Sequence, residues 1–211
     1  MEDSKHIEDD LLLRIAQHLI INASFLPDLG LYNGKIGVAI FFFHYFRYTG
    51  DTLYYDFAEE LINEIFDEIH ADIIINMEDG LCGIAWGILY LLENNFIDGN
   101  PNEILLDVDT KIMERDILRI KDKSFEKGLM GILYYIDSRL KCNARRSEPS
   151  TFDSIYLENR NSILKQIKIT NRPLLQDIVK NSPYFVNLIN LKLGLKGGCS
   201  GIGLKLLLEK L

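Results

Sequence analysis

The chain is short of the residues that fasten secreted or metal-bound folds, with three cysteines, four histidines and five prolines among 211 residues. Cys82, Cys142 and Cys199 form an odd, sparse set in no paired spacing. That argues against a disulfide framework and reads as reduced thiols in the cytoplasm. Positive charge is scarce as well. Twenty-three Lys and Arg face 31 Asp and Glu, a formal net charge of −8. Such a balance lacks the basic footprint that neutralises nucleic-acid phosphates, and it disfavours an anionic membrane surface. The opening residues, Met1 to His6, are polar and acidic, without the basic and apolar regions of a secretory leader. The longest apolar run, 36–43, ends at His44 and is too short for a bilayer. A soluble, cytoplasmic chain with no nucleic-acid or membrane partner is expected.

What is present is 47% hydrophobic residues, enough for a core, and a glycine phrase that occurs four times. It reads Asn33-Gly34-Lys35-Ile36-Gly37, Asp79-Gly80-Leu81-Cys82-Gly83, Lys127-Gly128-Leu129-Met130-Gly131 and Gly197-Gly198-Cys199-Ser200-Gly201. The first glycines are 46, 48 and 70 residues apart, and each phrase opens an apolar run. Near-constant spacing in this range marks a repeat architecture. The runs behind the first three phrases have no polar face, so they are expected as helices buried on every side. Between them lie amphipathic stretches. In 52–70, Tyr54, Phe57, Ala58, Leu61, Ile62, Ile65, Phe66 and Ile69 follow steps of three and four, with Glu59, Glu60, Glu64, Asp67 and Glu68 on the solvated side.

The pattern therefore predicts an all-α chain of one domain, 1–211, built from about four helical hairpins. Each repeat is an outer helix, a loop, Gly-x-x-Gly and an inner helix. The outer helices are expected at 7–21, 52–70 and 103–120, the last with Leu105, Val108, Ile112, Ile117 and Ile120 inward. The last inner helix is expected at 202–211. The wider final spacing leaves room for about 23 extra residues, an irregular insertion within about 142–184. There Arg145 to Ser150 reads as an exposed loop, and Pro173 and Pro183 as helix breakers. Glycines at i and i+3 share one helix face and let a neighbouring backbone approach; the first can also take positive φ in the turn.

The stretch from Leu31 to Phe41, followed by Tyr48-Thr49-Gly50-Asp51, resembles the lanthionine synthetase C-like proteins, and Leu195 to Leu204 is similar to their closing repeat. The resemblance touches all four repeats. It implies an α/α toroid, here partial or shortened, with the glycine loops gathered at one end. It also implies a role in ribosomal peptide modification, acting on a cysteine-bearing precursor peptide. Family cyclases hold a zinc ion on two cysteines and a histidine placed just before glycine phrases. The matching pairs here, Tyr32-Asn33, Glu78-Asp79, Glu126-Lys127 and Lys196-Gly197, contain neither residue type. No cofactor is therefore expected, and zinc enters by the resemblance alone.

The residues at the expected mouth are Asn33, Glu78, Asp79, Cys82, Glu126, Lys127 and Cys199. Cys82 and Cys199 sit at helix starts, where a thiol pKa falls. With Glu78 or Asp79 they are weak metal candidates; the plainer reading is that they are small buried fillers. Glu78 and Asp79 read either as caps at a helix N-terminus or as an amine-binding or basic pair. His44 reads as a core or lumen residue, His70 as a helix-end cation, and His6 and His18 as peripheral. Trp86 and Tyr90, four apart, read as core or as the wall of a groove. Three functions compete: a peptide-modifying or peptide-recognising protein, a non-catalytic repeat scaffold for a protein partner, and a sugar-active toroid using Glu78, Asp79 and Glu126. A partial ring also invites a second copy to complete it.

Overall fold

The computed structural model of the chain describes residues 2–70, 72–167, 173–183 and 191–210. Among them there is no strand, as the periodicity predicts. The helices are α1 (Glu2–Asn22), α2 (Lys35–Thr49), α3 (Thr52–Glu68), α4 (Leu81–Glu93), α5 (Pro101–Ile104), α6 (Leu106–Met113), α7 (Leu129–Arg146), α8 (Ser154–Leu164), α9 (Leu174–Val179) and α10 (Cys199–Leu208). No described helix is long and apolar enough to cross a membrane. The described residues divide into two compact helical units, 1–69 with 172–211, and 70–171.

In the first unit, α2 is buried from Lys35 to Tyr45. It ends at Gly50, whose φ of 74° makes a left-handed cap, and Asp51 then caps α3 by accepting from the Leu53 N–H at 3.0 Å. The closely packed hairpin is thus the inner helix with the outer helix that follows it. The expected pairing of 7–21 with the first inner helix is corrected: α1 packs on α10, which in turn lies against α2. The first and fourth repeats are therefore neighbours. On α3, Tyr54, Ala58, Leu61, Ile62 and Ile65 are buried as expected, but Phe66 is exposed. Two residues of the supposed solvated face are engaged: Glu64 (2.9 Å) and Glu68 (2.6 Å) hold Lys35, whose charge is buried at the start of α2.

In the second unit, α4 packs on α6 and α7. The outer helix expected over 103–120 is broken into α5, α6 and a 3-10 turn, Ile117–Arg119. Asn100 accepts from the Asn102 N–H and Pro101 follows it, a strong start signal that begins a separate short helix. Leu105, Val108, Ile112 and Ile117 still point inward. The exposed loop expected from Arg145 to Ser150 begins later than expected. Cys142, Arg145 and Arg146 belong to α7, which stops at Ser147 in a left-handed cap (φ 57°). Pro173 stands at the N-cap of α9. Tyr184 lies outside the described residues.

A polar knot sits where pattern alone promises only aliphatic packing. Asp109 on α6 and Arg139 on α7 are both fully buried and 2.8 Å apart. Asp109 also accepts from Tyr135 Oη (2.6 Å) and Thr151 Oγ1 (2.6 Å), while Arg139 donates to Asn102 (2.9 Å) and Asn143 (3.2 Å). Asn143 holds the Pro149 carbonyl at 2.9 Å and Asn102 holds Glu148 at 2.9 Å. One ion pair thus ties α5, α6 and the loop after α7 to α7, with its lone pairs and protons matched.

Removing one member of that pair strands the other. Asp109→Asn is expected to cost about 3–5 kcal/mol, and the double change Asp109→Leu with Arg139→Met distinctly less, measured by urea unfolding. Two glycines separate two kinds of strain. A Cβ on Gly128 would meet the Asp122 carbonyl oxygen at 2.5 Å, whereas one on Gly50 meets nothing within 4 Å. Gly128→Ala should therefore lose about 1–3 kcal/mol through overpacking, and Gly50→Ala about 1 kcal/mol through its left-handed backbone.

Candidate functional site

Each inner helix begins in the same way. The first helical N–H of α2, α4, α7 and α10 reaches the carbonyl seven residues earlier. These bonds are Lys35 to Asp28 (2.9 Å), Leu81 to Ile74 (2.9 Å), Leu129 to Asp122 (2.9 Å) and Cys199 to Lys192 (2.8 Å). Helix starts leave N–H groups without intrahelical partners, and here the preceding loop curls under the helix and supplies them. The N-cap glycines, Gly34, Gly80, Gly128 and Gly198, have φ between −108° and −116°, so the expected positive φ is corrected. Glycine is required for space: a Cβ would strike a carbonyl of its own loop at every one of the four. None of these caps uses a side chain.

The loops then join in pairs. In the first unit, the Lys196 N–H donates to the Tyr32 carbonyl at 2.9 Å, and the Lys196 ammonium lies 5.1 Å from the Tyr32 ring centre. Gly194 presses on Asn33, with no room for a side chain. In the second unit, the Met77 and Glu78 N–H groups both donate to the Glu126 carbonyl at 3.0 Å, and Lys127 stands 3.6 Å from the Glu78 carboxylate. Asn33 is therefore brought to Gly194, and Glu78 to Glu126 and Lys127. Each unit by itself sets two inner-helix starts side by side.

Asp79 caps no helix. Its N–H donates to Asn76 Oδ1 at 3.0 Å and its carboxylate accepts from Asn76 Nδ2 at 2.7 Å, a closed clasp inside the loop. The cysteines follow the plainer of their two readings, as small buried fillers. All three are free and buried. Burial pushes the Cys82 thiol far above its usual range, and the negative charge of Asp109 adds to the shift. Burial raises Cys199 to about 11. The lowered pKa expected at a helix start fails because burial outweighs it; at Cys199 its own backbone N–H pulls the thiol down by less than burial pushes it up. Cys82 belongs to the second unit and Cys199 to the first. Among the described residues no group of three His, Cys, Asp or Glu could hold a metal ion.

A model of the lanthionine synthetase C-like protein family matches residues 27–208. The chain belongs to that family. No curated protein matches it. The match covers all four glycine phrases, so this LanC-like chain keeps the family's repeat frame. The residues present do not fit the zinc ion of family cyclases. Every Cys and His of the chain lies among the described residues, and of the positions ahead of the glycines Tyr32, Glu78, Glu126, Lys127 and Lys196 are engaged in joining loops.

His44, on α2, is buried, and its pKa falls to about 4 through burial and the nearby Arg47 charge. It is a core residue and neutral at physiological pH. The unfolded chain binds its proton near the usual value of 6.5, so stability is full above that pH and is lost as pH falls towards 4. Acidification across this window should cost about 3 kcal/mol, and His44→Gln should remove that part of the slope in unfolding curves recorded at stepped pH.

Proposed function

We propose that this LanC-like chain recognises a cysteine-bearing precursor peptide in the cytoplasm and does so without zinc-dependent cyclisation. The observation that carries the reading is the exchange at the four helix starts. Where family cyclases present cysteine and histidine, this chain presents Tyr32-Asn33, Glu78-Asp79, Glu126-Lys127 and Lys196-Gly197, and several of these bridge neighbouring loops. Catalytic zinc needs about three protein ligands and an open position. With both helix-start thiols buried and held protonated, neither a metal thiolate nor a nucleophile is available at those starts. What the frame retains is the paired glycine loops, a surface suited to binding. The three free thiols support a reducing compartment.

A second reading, a scaffold for a folded protein partner, is favoured by α1. Ile7 and Ile21 are exposed there, separated by close to four helical turns, and an exposed Phe25 follows. The reading needs no second copy to extend the first unit, because α10 already occupies the flank of α2.

The chain should be purified without chelators, assayed for zinc by elemental analysis, and incubated with a dehydrated, cysteine-bearing peptide. Binding without thioether formation, and without stoichiometric zinc, is the expected result. Stoichiometric zinc that is lost on Cys82→Ala or Cys199→Ala, or a cyclised product, would overturn the reading.

A further inference from the structure

Helix α1 is apolar on two sides. Leu12, Ile15, Ala16 and Leu19 are fully buried, and α1 packs on α10. Away from them Ile7 and Ile21 are exposed at 59% and 69%, and Phe25, just past the helix, at 85%. Ile7, Arg14 and Ile21 recur every seven residues, so they lie along one stripe of the helix. The charges on this side are ordered. Glu8 and Asp9 are held by Lys210 at 3.1 and 3.2 Å. Asp10 and Arg14 are exposed and hold no ion pair among the described residues. From Leu11 to Asn22 there is no carboxylate, and both cationic residue types of the helix's second half, Arg14 and His18, fall there. The stripe therefore reads apolar, acidic, basic, apolar. Helix α1 also precedes the stretch 27–208 that carries the family match.

Such a stripe is complementary to its own reverse. Laid antiparallel with Arg14 at the two-fold axis, Ile7 of one copy comes level with Ile21 of the other, and Phe25 lengthens each apolar end. Asp10 then comes level with His18 of the other copy. It also lies one helical turn, about 6 Å along the axis, from the other copy's Arg14, within reach of that long side chain. The two Arg14 cations at the axis are thus flanked by two carboxylates. A parallel copy would instead set Asp10 on Asp10 and Arg14 on Arg14, with the acidic first turns side by side. Burying the isoleucines supplies the attraction, and a polar residue in the middle of an apolar seam fixes its register. We propose that α1 is a self-association surface, on which a second copy of this chain lies antiparallel across a two-fold axis at Arg14. Closed two-fold pairs of this kind use one patch twice. The inference is independent of the peptide-recognition reading, and it gives the exposed side of α1 a second copy as its occupant rather than a different folded protein.

The full chain is followed by sedimentation equilibrium over a range of concentrations. Two single helices make a small interface, so a monomer–dimer equilibrium with a dissociation constant of roughly tens of micromolar is expected. Ile21→Glu and Arg14→Asp, both at exposed positions, should keep the thermal melt of the unaltered chain and weaken the dimer about tenfold or more. Direction is read by cross-linking. The native cysteines are all buried, so a thiol placed on the stripe is the one that diamide reaches. Ile7→Cys mixed with Ile21→Cys should form a disulfide-linked dimer, and neither variant should do so alone, because Ile7 and Ile21 are about 21 Å apart along the helix. Self-linking of Ile7→Cys overturns the antiparallel pairing. A dimer undiminished by Ile21→Glu overturns the surface. A single monomer mass at about tenfold the expected dissociation constant overturns self-association and leaves the face to a different protein.

Discussion

Everything in this fold hangs on a backbone bond made four times, from the first N–H of an inner helix to the carbonyl seven residues before it. Four apolar helices each carry unmatched N–H groups at their starts. In a buried setting such a group left alone costs as much as a lost hydrogen bond. The loop solves this by folding beneath the helix. That is possible only if the residue at the junction has no side chain, because a loop carbonyl occupies the place where a Cβ would stand. The glycine phrase is thus a packing demand written into sequence. The same curl sets where each loop's next residues lie, and so which neighbouring loop they can touch.

That arrangement explains why the helix starts are poor places for chemistry in this chain. Their N–H groups are already bonded to carbonyls, so their dipole has little left to offer a thiolate or a carboxylate. Cys82 and Cys199 are the second and the first residues of such helices, yet they are driven towards the neutral thiol by burial. The exposed edge of the loops carries instead a lysine over a tyrosine ring and a lysine beside a glutamate.

Much of this was legible in the residues, and what was not has identifiable causes. Helical periodicity marked α1, α3 and the buried character of α2 and α4, because those segments repeat one simple division of faces. The run 103–120 has the same periodicity, but Asn100 with Pro101 starts a short helix and the chain turns at Leu105; local capping outweighed the apolar rhythm. Asp109 and Arg139 lie 30 residues apart, and no spacing rule announces a pair that only tertiary packing brings together. Lys35 within the first phrase gives no sign in sequence of its partners, Glu64 and Glu68, which come 29 and 33 residues later, near the end of α3. Of the expected mouth residues, Glu78, Glu126 and Lys127 do meet, whereas Asp79 turned back on its own loop and the cysteines turned inward. Side-chain direction at a helix start depends on the loop beneath it, which composition does not encode.

The seating of α10 between α1 and α2 carries a consequence for how the polypeptide matures. A ribosome delivers residues in order, so α1, α2 and α3 emerge long before the segment that seals them. Until Cys199–Leu208 has been made, the apolar flanks of α1 and α2 have no cover. The earlier half must wait, partly assembled, while the intervening hundred or so residues are added, and joining ends so remote in sequence is entropically slow. Such exposed intermediates are where aggregation begins. A chain cut short near its last helix would therefore lose its earliest repeat along with its latest.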